Sequence, residues 1–64
     1  MMTAKRPKTK AAKDVHDGDW LVMGKLAWRV SEQWEADGFV FILWPNMSIS
    51  DHRPDERLTI HYDD

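Results

Sequence analysis

Trp34-Glu35-Ala36-Asp37-Gly38-Phe39-Val40-Phe41-Ile42-Leu43-Trp44-Pro45 is the stretch on which the fold turns. Asp-Gly between two runs rich in apolar residues is the strongest short hairpin signal in the chain, because a type I′ turn needs positive φ at both central positions. Phe39 to Trp44 is apolar at every position, the pattern of a strand covered on both faces and therefore central in its sheet. Pro45 ends the run, since proline cannot donate to a sheet ladder.

Upstream, Leu26 to Trp34 reads two ways. Leu26, Val30 and Trp34 fall at helical spacing, but a two-residue period collects four large apolar groups, Leu26, Trp28, Val30 and Trp34, and favours a strand. Gly24-Lys25 supplies a type II′ turn with glycine in its first central position. Trp20-Leu21-Val22-Met23 is the partner strand, and Val15 to Asp19 is an entry turn around Gly18. Downstream, Asn46 to Glu56 reads as a polar connection with room for one 3₁₀ turn. Arg57 to Tyr62 alternates, with Leu58, Ile60 and Tyr62 on one side and Thr59 and His61 on the other, as an edge strand does.

Two-residue turns fix register. The first pairs Met23 with Leu26, Leu21 with Trp28, and Trp20 with Arg29. The second pairs Ala36 with Phe39, Trp34 with Phe41, Glu32 with Leu43, and Ser31 with Trp44. One face then collects Leu21, Met23, Leu26, Trp28, Val30, Trp34, Phe39, Phe41 and Leu43, completed by Leu58, Ile60 and Tyr62 as a core. The other collects Trp20, Val22, Arg29, Val40, Ile42 and Trp44. On this second face Arg29 is expected between Trp20 and Trp44, a cation–π arrangement suited to a partner surface. Glu32 stands on the core side, an awkward place for a carboxylate, which a bulge between Val30 and Trp34 would relieve by turning it outward.

The expected fold is mainly β. Four to five strands form a small, strongly curved antiparallel sheet or an SH3-like or Tudor-like barrel, a likeness of size and strand number only. The chain has 64 residues and no Cys, so neither disulfides nor thiolate metal sites help it fold. Four Trp, two Phe and one Tyr provide the apolar area instead. No apolar run approaches the ~20 residues that span a bilayer, and no secretory leader is recognisable, so a soluble, cytoplasmic protein without a membrane partner is expected.

Charge divides the chain. Residues 1–13 carry Lys5, Arg6, Lys8, Lys10 and Lys13 and no acid, whereas residues 14–64 carry four basic and eleven acidic side chains, a formal −7. Residues 1–13 are therefore expected to be a disordered basic arm, and residues 14–64 a single small β domain. Cations on an arm neutralise phosphates without reading sequence, so Lys5, Arg6, Lys8, Lys10 and Lys13 are the expected contacts to nucleic acid, DNA or RNA. Trp20, Arg29 and Trp44 are the expected contacts to a specific partner. The resulting expectation is a non-enzymatic binding module. Its alternative is a protein-interaction factor, such as a phage- or plasmid-borne modulator, whose acidic β domain docks on a host protein. Self-association through the edge strand or the Trp face is a further route.

No catalytic residue, cofactor or metal site is expected. There is no Cys nucleophile and no Gly-rich phosphate loop. His16 among Asp14, Asp17 and Asp19 supplies only a fragment of a calcium-loop pattern.

Overall fold

The computed structural model describes residues 8–62. Both hairpin turns form where the glycines stand. Gly24 has φ of 66°, while Lys25 keeps negative φ, as a type II′ turn requires. Asp37 and Gly38 have φ of 53° and 80°, the two positive values of a type I′ turn. The first turn joins β2 (Trp20–Met23) to β3 (Leu26–Arg29), and the second joins β4 (Glu32–Ala36) to β5 (Phe39–Leu43).

Their registers follow the turns. Trp20 pairs with Arg29, Leu21 with Trp28 and Met23 with Leu26; Glu32 pairs with Leu43, Trp34 with Phe41 and Ala36 with Phe39. The second ladder stops one pair short of Ser31 and Trp44, where the Ser31 N–H donates to the Leu43 carbonyl at 2.9 Å.

Three further strands complete the architecture: β1 (Thr9–Ala11), β6 (Ile49–His52) and β7 (Arg57–Thr59). β6 lies inside what sequence suggests is a plain connection. Asn46 makes it possible, because its Oδ1 accepts the Ser48 N–H at 3.0 Å while the Trp44 N–H bonds the Ser48 carbonyl at 2.9 Å. That turn sends the chain back along β5. The strands form three antiparallel sheets, β1–β7, β2–β3 and β4–β5–β6, with a bridge from Leu21 to Ile60. The ladders do not close into a barrel.

Residues 9–13 depart from the disordered arm expected of them. β1 pairs with β7, and a 3₁₀ turn follows at Ala12–Asp14. Backbone bonds run from Ala12 N–H to the Glu56 carbonyl at 2.8 Å and from Lys13 N–H to the Pro54 carbonyl at 3.1 Å. The reason lies in Ala11 and Ala12, whose apolar side chains are both buried. They also lose almost no side-chain entropy on ordering. Met1 to Pro7, with Lys5 and Arg6, lie outside the described residues.

The largest departure concerns which face is inside. The core is Ala12, Val15, Leu21, Val30, Val40, Ile42 and Trp44, with Trp28, Leu58 and Ile60 packed against it. Trp34, Phe39, Met23, Leu26 and Tyr62, expected inside, are exposed, and Phe41 and Leu43 are only half-buried. The cause is a phase shift between β3 and β4. Val30 and Ser31 belong to neither ladder, yet Val30 points into the core and so does the half-buried Gln33, three residues on. One extra residue in the count turns the whole β4–β5–β6 sheet over.

Charge explains why this phase is preferred. On the alternative face, Glu32 and Asp51 would enter the core beside Leu43 and Phe41. The chosen face carries Gln33, Ser50 and His52, whose groups find hydrogen bonds, and one carboxylate, Glu35, which stays exposed opposite Val40. Burying an unpaired carboxylate costs far more than burying a satisfied amide or hydroxyl.

Candidate functional site

Of the three expected partner residues, the structure brings two together. Trp20 and Arg29 face each other across the β2–β3 ladder, both exposed. The Trp20 ring meets the His61 ring edge-on, with centroids 6.5 Å apart. Trp44 is separated from them by burial: it is only 4% exposed and belongs to the core, so no Trp-Arg-Trp face forms. A two-residue count puts it on the outer face, and the Val30–Ser31 shift breaks that count.

Trp44 heads a polar relay instead. Its Nε1–H donates to Ser50 Oγ at 2.9 Å, Ser50 Oγ lies 2.8 Å from His52 Nε2, and His52 Nδ1 lies 2.7 Å from Glu56 Oε2. A Ser–His–carboxylate sequence of this kind is the skeleton of a nucleophilic site. Here Ser50 Oγ also accepts the indole N–H, on the core-facing side of β6. Neither of the two grooves described below is lined by Ser50 or His52. The relay ties β6 to Glu56 in the β6–β7 connection. That connection in turn carries the Pro54 and Glu56 carbonyls that anchor Ala12 and Lys13.

The basic residues divide likewise. Lys8 and Lys13 are exposed. Lys10 Nζ lies 2.9 Å from Asp19 Oδ2, half-buried on both sides. Burial alone would raise the Asp19 carboxyl. The Lys10 hydrogen bond, the His16 N–H at 3.0 Å and the nearby positive charges outweigh it and hold the group below the usual carboxylate range.

The surface that sequence reasoning missed is the outer face of β4–β5–β6. Reading across the ladders, it carries Glu32, Leu43 and Ile49, then Trp34, Phe41 and Asp51, then Ala36 and Phe39. Trp34 and Phe41 stack with centroids 5.7 Å apart and planes 17° from parallel. Trp34 is 37% exposed, Phe39 43% and Ile49 58%, so a contiguous aromatic and aliphatic array meets solvent. Its two charged ladder positions, Glu32 and Asp51, are both acidic. Glu32, out of place in any core, is the signal in the sequence that could have located this face.

Two grooves lie on the surface of the described residues. One, about 150 Å³, lies among Met23, Trp28, Trp44, Asn46 and Ser48. The other, about 440 Å³, lies among Asp17, Gly18, Arg29, Val30, Ser31 and Pro45. Among the described residues no three His, Asp or Glu side chains gather as a metal site, and no helix is long and apolar enough to cross a membrane. No protein-family model matches this chain, and no curated protein or solved structure is similar enough to count as a match.

Proposed function

We propose that this chain is a non-enzymatic docking module of the cytoplasm, whose acidic β body seats on a partner protein through the outer face of β4–β5–β6. The observation that carries this reading is the exposed Trp34–Phe41 stack within an apolar array bordered by Glu32 and Asp51. Large exposed apolar patches on small soluble proteins commonly mark interaction surfaces, and aromatic residues dominate their energetics. The acidic border selects a partner with an apolar anchor among Lys or Arg side chains.

The test is capture of partner protein by the intact chain and by Trp34→Ala and Phe41→Ala, followed by measured affinity for whatever is captured. Loss of at least about 2 kcal/mol at either position is expected of a central anchor. Unchanged affinity in both variants contradicts the reading, and concentration-dependent dimerisation abolished by the same changes would make a second copy the occupant instead.

Nucleic acid remains a second partner, favoured by the exposed Lys8 and Lys13. Lys10 is held by Asp19, so Lys5, Arg6, Lys8 and Lys13 remain, and the slope of log K against log salt on duplex DNA is expected to be no steeper than about −0.9 × 4. A chain lacking residues 1–7 keeps β1 and isolates the share of Lys5 and Arg6, and Lys8→Ala with Lys13→Ala isolates the rest. Equal affinity of the intact, truncated and doubly substituted chains for labelled DNA would set the second reading aside.

A further inference from the structure

We infer that the groove beside Arg29 is a binding site for one oxyanion, a phosphate or a carboxylate, carried by a ligand whose flat ring lies against Trp20. This is independent of the β4–β5–β6 face.

Among the described residues the ion pairs are Lys10–Asp19 and His52–Glu56, so none of the body's four cations, Lys25, Arg29, Arg53 and Arg57, is in one; of these Arg29 is the one that borders a groove described above. Among the described residues no carboxylate forms an ion pair with this cation, which stands beside the larger groove. Its position is built by the fold. Gly18, at φ of 89°, offers bare backbone to the guanidinium: a β-carbon placed there would lie 3.7 Å from the Arg29 terminal nitrogen. The Gly18 N–H and the Val30 carbonyl bond at 2.8 Å, and Val30 N–H returns to the Asp19 carbonyl at 2.7 Å, which fixes the backbone on both sides of the groove.

The lining suits an oxyanion. A guanidinium fork matches the paired oxygens of carboxylate and phosphate, and Ser31 adds a hydroxyl donor. Val30 and Pro45 supply an apolar wall. Trp20, the ladder partner of Arg29, lies outside the groove's lining and is 44% exposed, and an exposed indole is a stacking platform for a flat ring. Asp17 is the opposing feature, since its carboxylate also borders the groove. Its Oδ1 is turned to β4, accepting the Gln33 N–H at 2.9 Å, which keeps it from closing on Arg29.

The experiment is an amide-resolved NMR titration of the full chain with inorganic phosphate, acetate, adenosine monophosphate and benzoate at constant ionic strength. Saturable shifts at Gly18, Arg29 and Ser31 are expected in the millimolar range, larger for one oxyanion type than the other. The ringed ligands should bind several-fold tighter and move the Trp20 indole N–H. Arg29→Gln should weaken binding by at least about tenfold, the equivalent of a charge-assisted hydrogen bond. Arg29→Lys keeps the charge and the fold and should weaken it less, while Asp17→Asn, which retains the Oδ1 acceptor, should tighten it. Non-saturable shifts, or equal affinity in the wild type, Arg29→Gln and Arg29→Lys, would overturn the site. Equal affinity of ringed and ringless anions would remove Trp20 from it.

Discussion

Ser50 shows how one hydroxyl decides whether a tryptophan can be buried. The Trp44 indole N–H must find an acceptor in the core, and Ser50 Oγ at 2.9 Å is that acceptor. Ser50→Ala leaves the donor unpaired and should cost about 1–3 kcal/mol, measured by urea unfolding. Ser48→Ala, at an exposed turn position, serves as the comparison and should cost less. Asp19 acts at the same scale through charge. Its carboxyl is held low in the folded chain, so its contribution is fully present above the unfolded value of about 3.9 and disappears as pH falls through the lower folded value. Asp19→Asn should therefore flatten the decline of stability below pH ~4, read from thermal unfolding across an acid series. An unchanged acid profile would remove the Lys10–Asp19 pair as its cause. The pair is half-exposed, so its worth is modest.

At the scale of elements, the hairpin turns, their registers and the inward side of β2–β3 and β7 are legible in the sequence, and the inward side of β4–β5–β6 is not. Gly24 and Asp37-Gly38 name their turns, and each turn dictates its ladder, because glycine alone takes those backbone angles without cost. The interruption expected between Val30 and Trp34 is present at Val30-Ser31 and Glu32 turns outward; what the pattern conceals is that Trp34 and the sheet beyond it turn with Glu32. An apolar residue on either side of a bulge looks in phase to a period-two count, and Phe39 to Leu43 is apolar on both faces, so nothing in β5 itself reports the inversion. Glu32 carries the only hint, and its outward turn takes Trp34, Phe41 and Leu43 with it. β6 and β1 are hidden for a different reason. Both pair through backbone bonds using Ser, Asp, Thr and Lys, which carry little apolar signal. The inversion has a direct energetic consequence. Ile42→Ala, in the core, should cost about 2–5 kcal/mol, whereas Phe39→Ala, on the outer face, should cost under ~1 kcal/mol. Equal losses, or the reverse order, in denaturant unfolding would show that the faces are assigned the wrong way round.

At the scale of the whole molecule, the division of charge does not coincide with a division of structure. The basic stretch contributes a strand, a 3₁₀ turn and two buried alanines to the fold, and the acidic body holds Lys10 in an ion pair. Removing residues 1–13 should lower the melting temperature sharply, because β7 loses its partner and the core loses Ala11 and Ala12. The body that results buries Val40, Ile42 and Trp44 and presents Trp34, Phe39 and Phe41 outward, and the proposed docking role depends on that orientation. The most direct test is ¹⁹F NMR of the chain labelled with fluorotryptophan, titrated with a soluble paramagnetic agent and assigned by single Trp→Phe changes. The Trp34 and Trp20 resonances should broaden strongly and Trp44 should be protected. Protection of Trp34 with broadening of Trp44 would contradict the inverted sheet and, with it, the docking face.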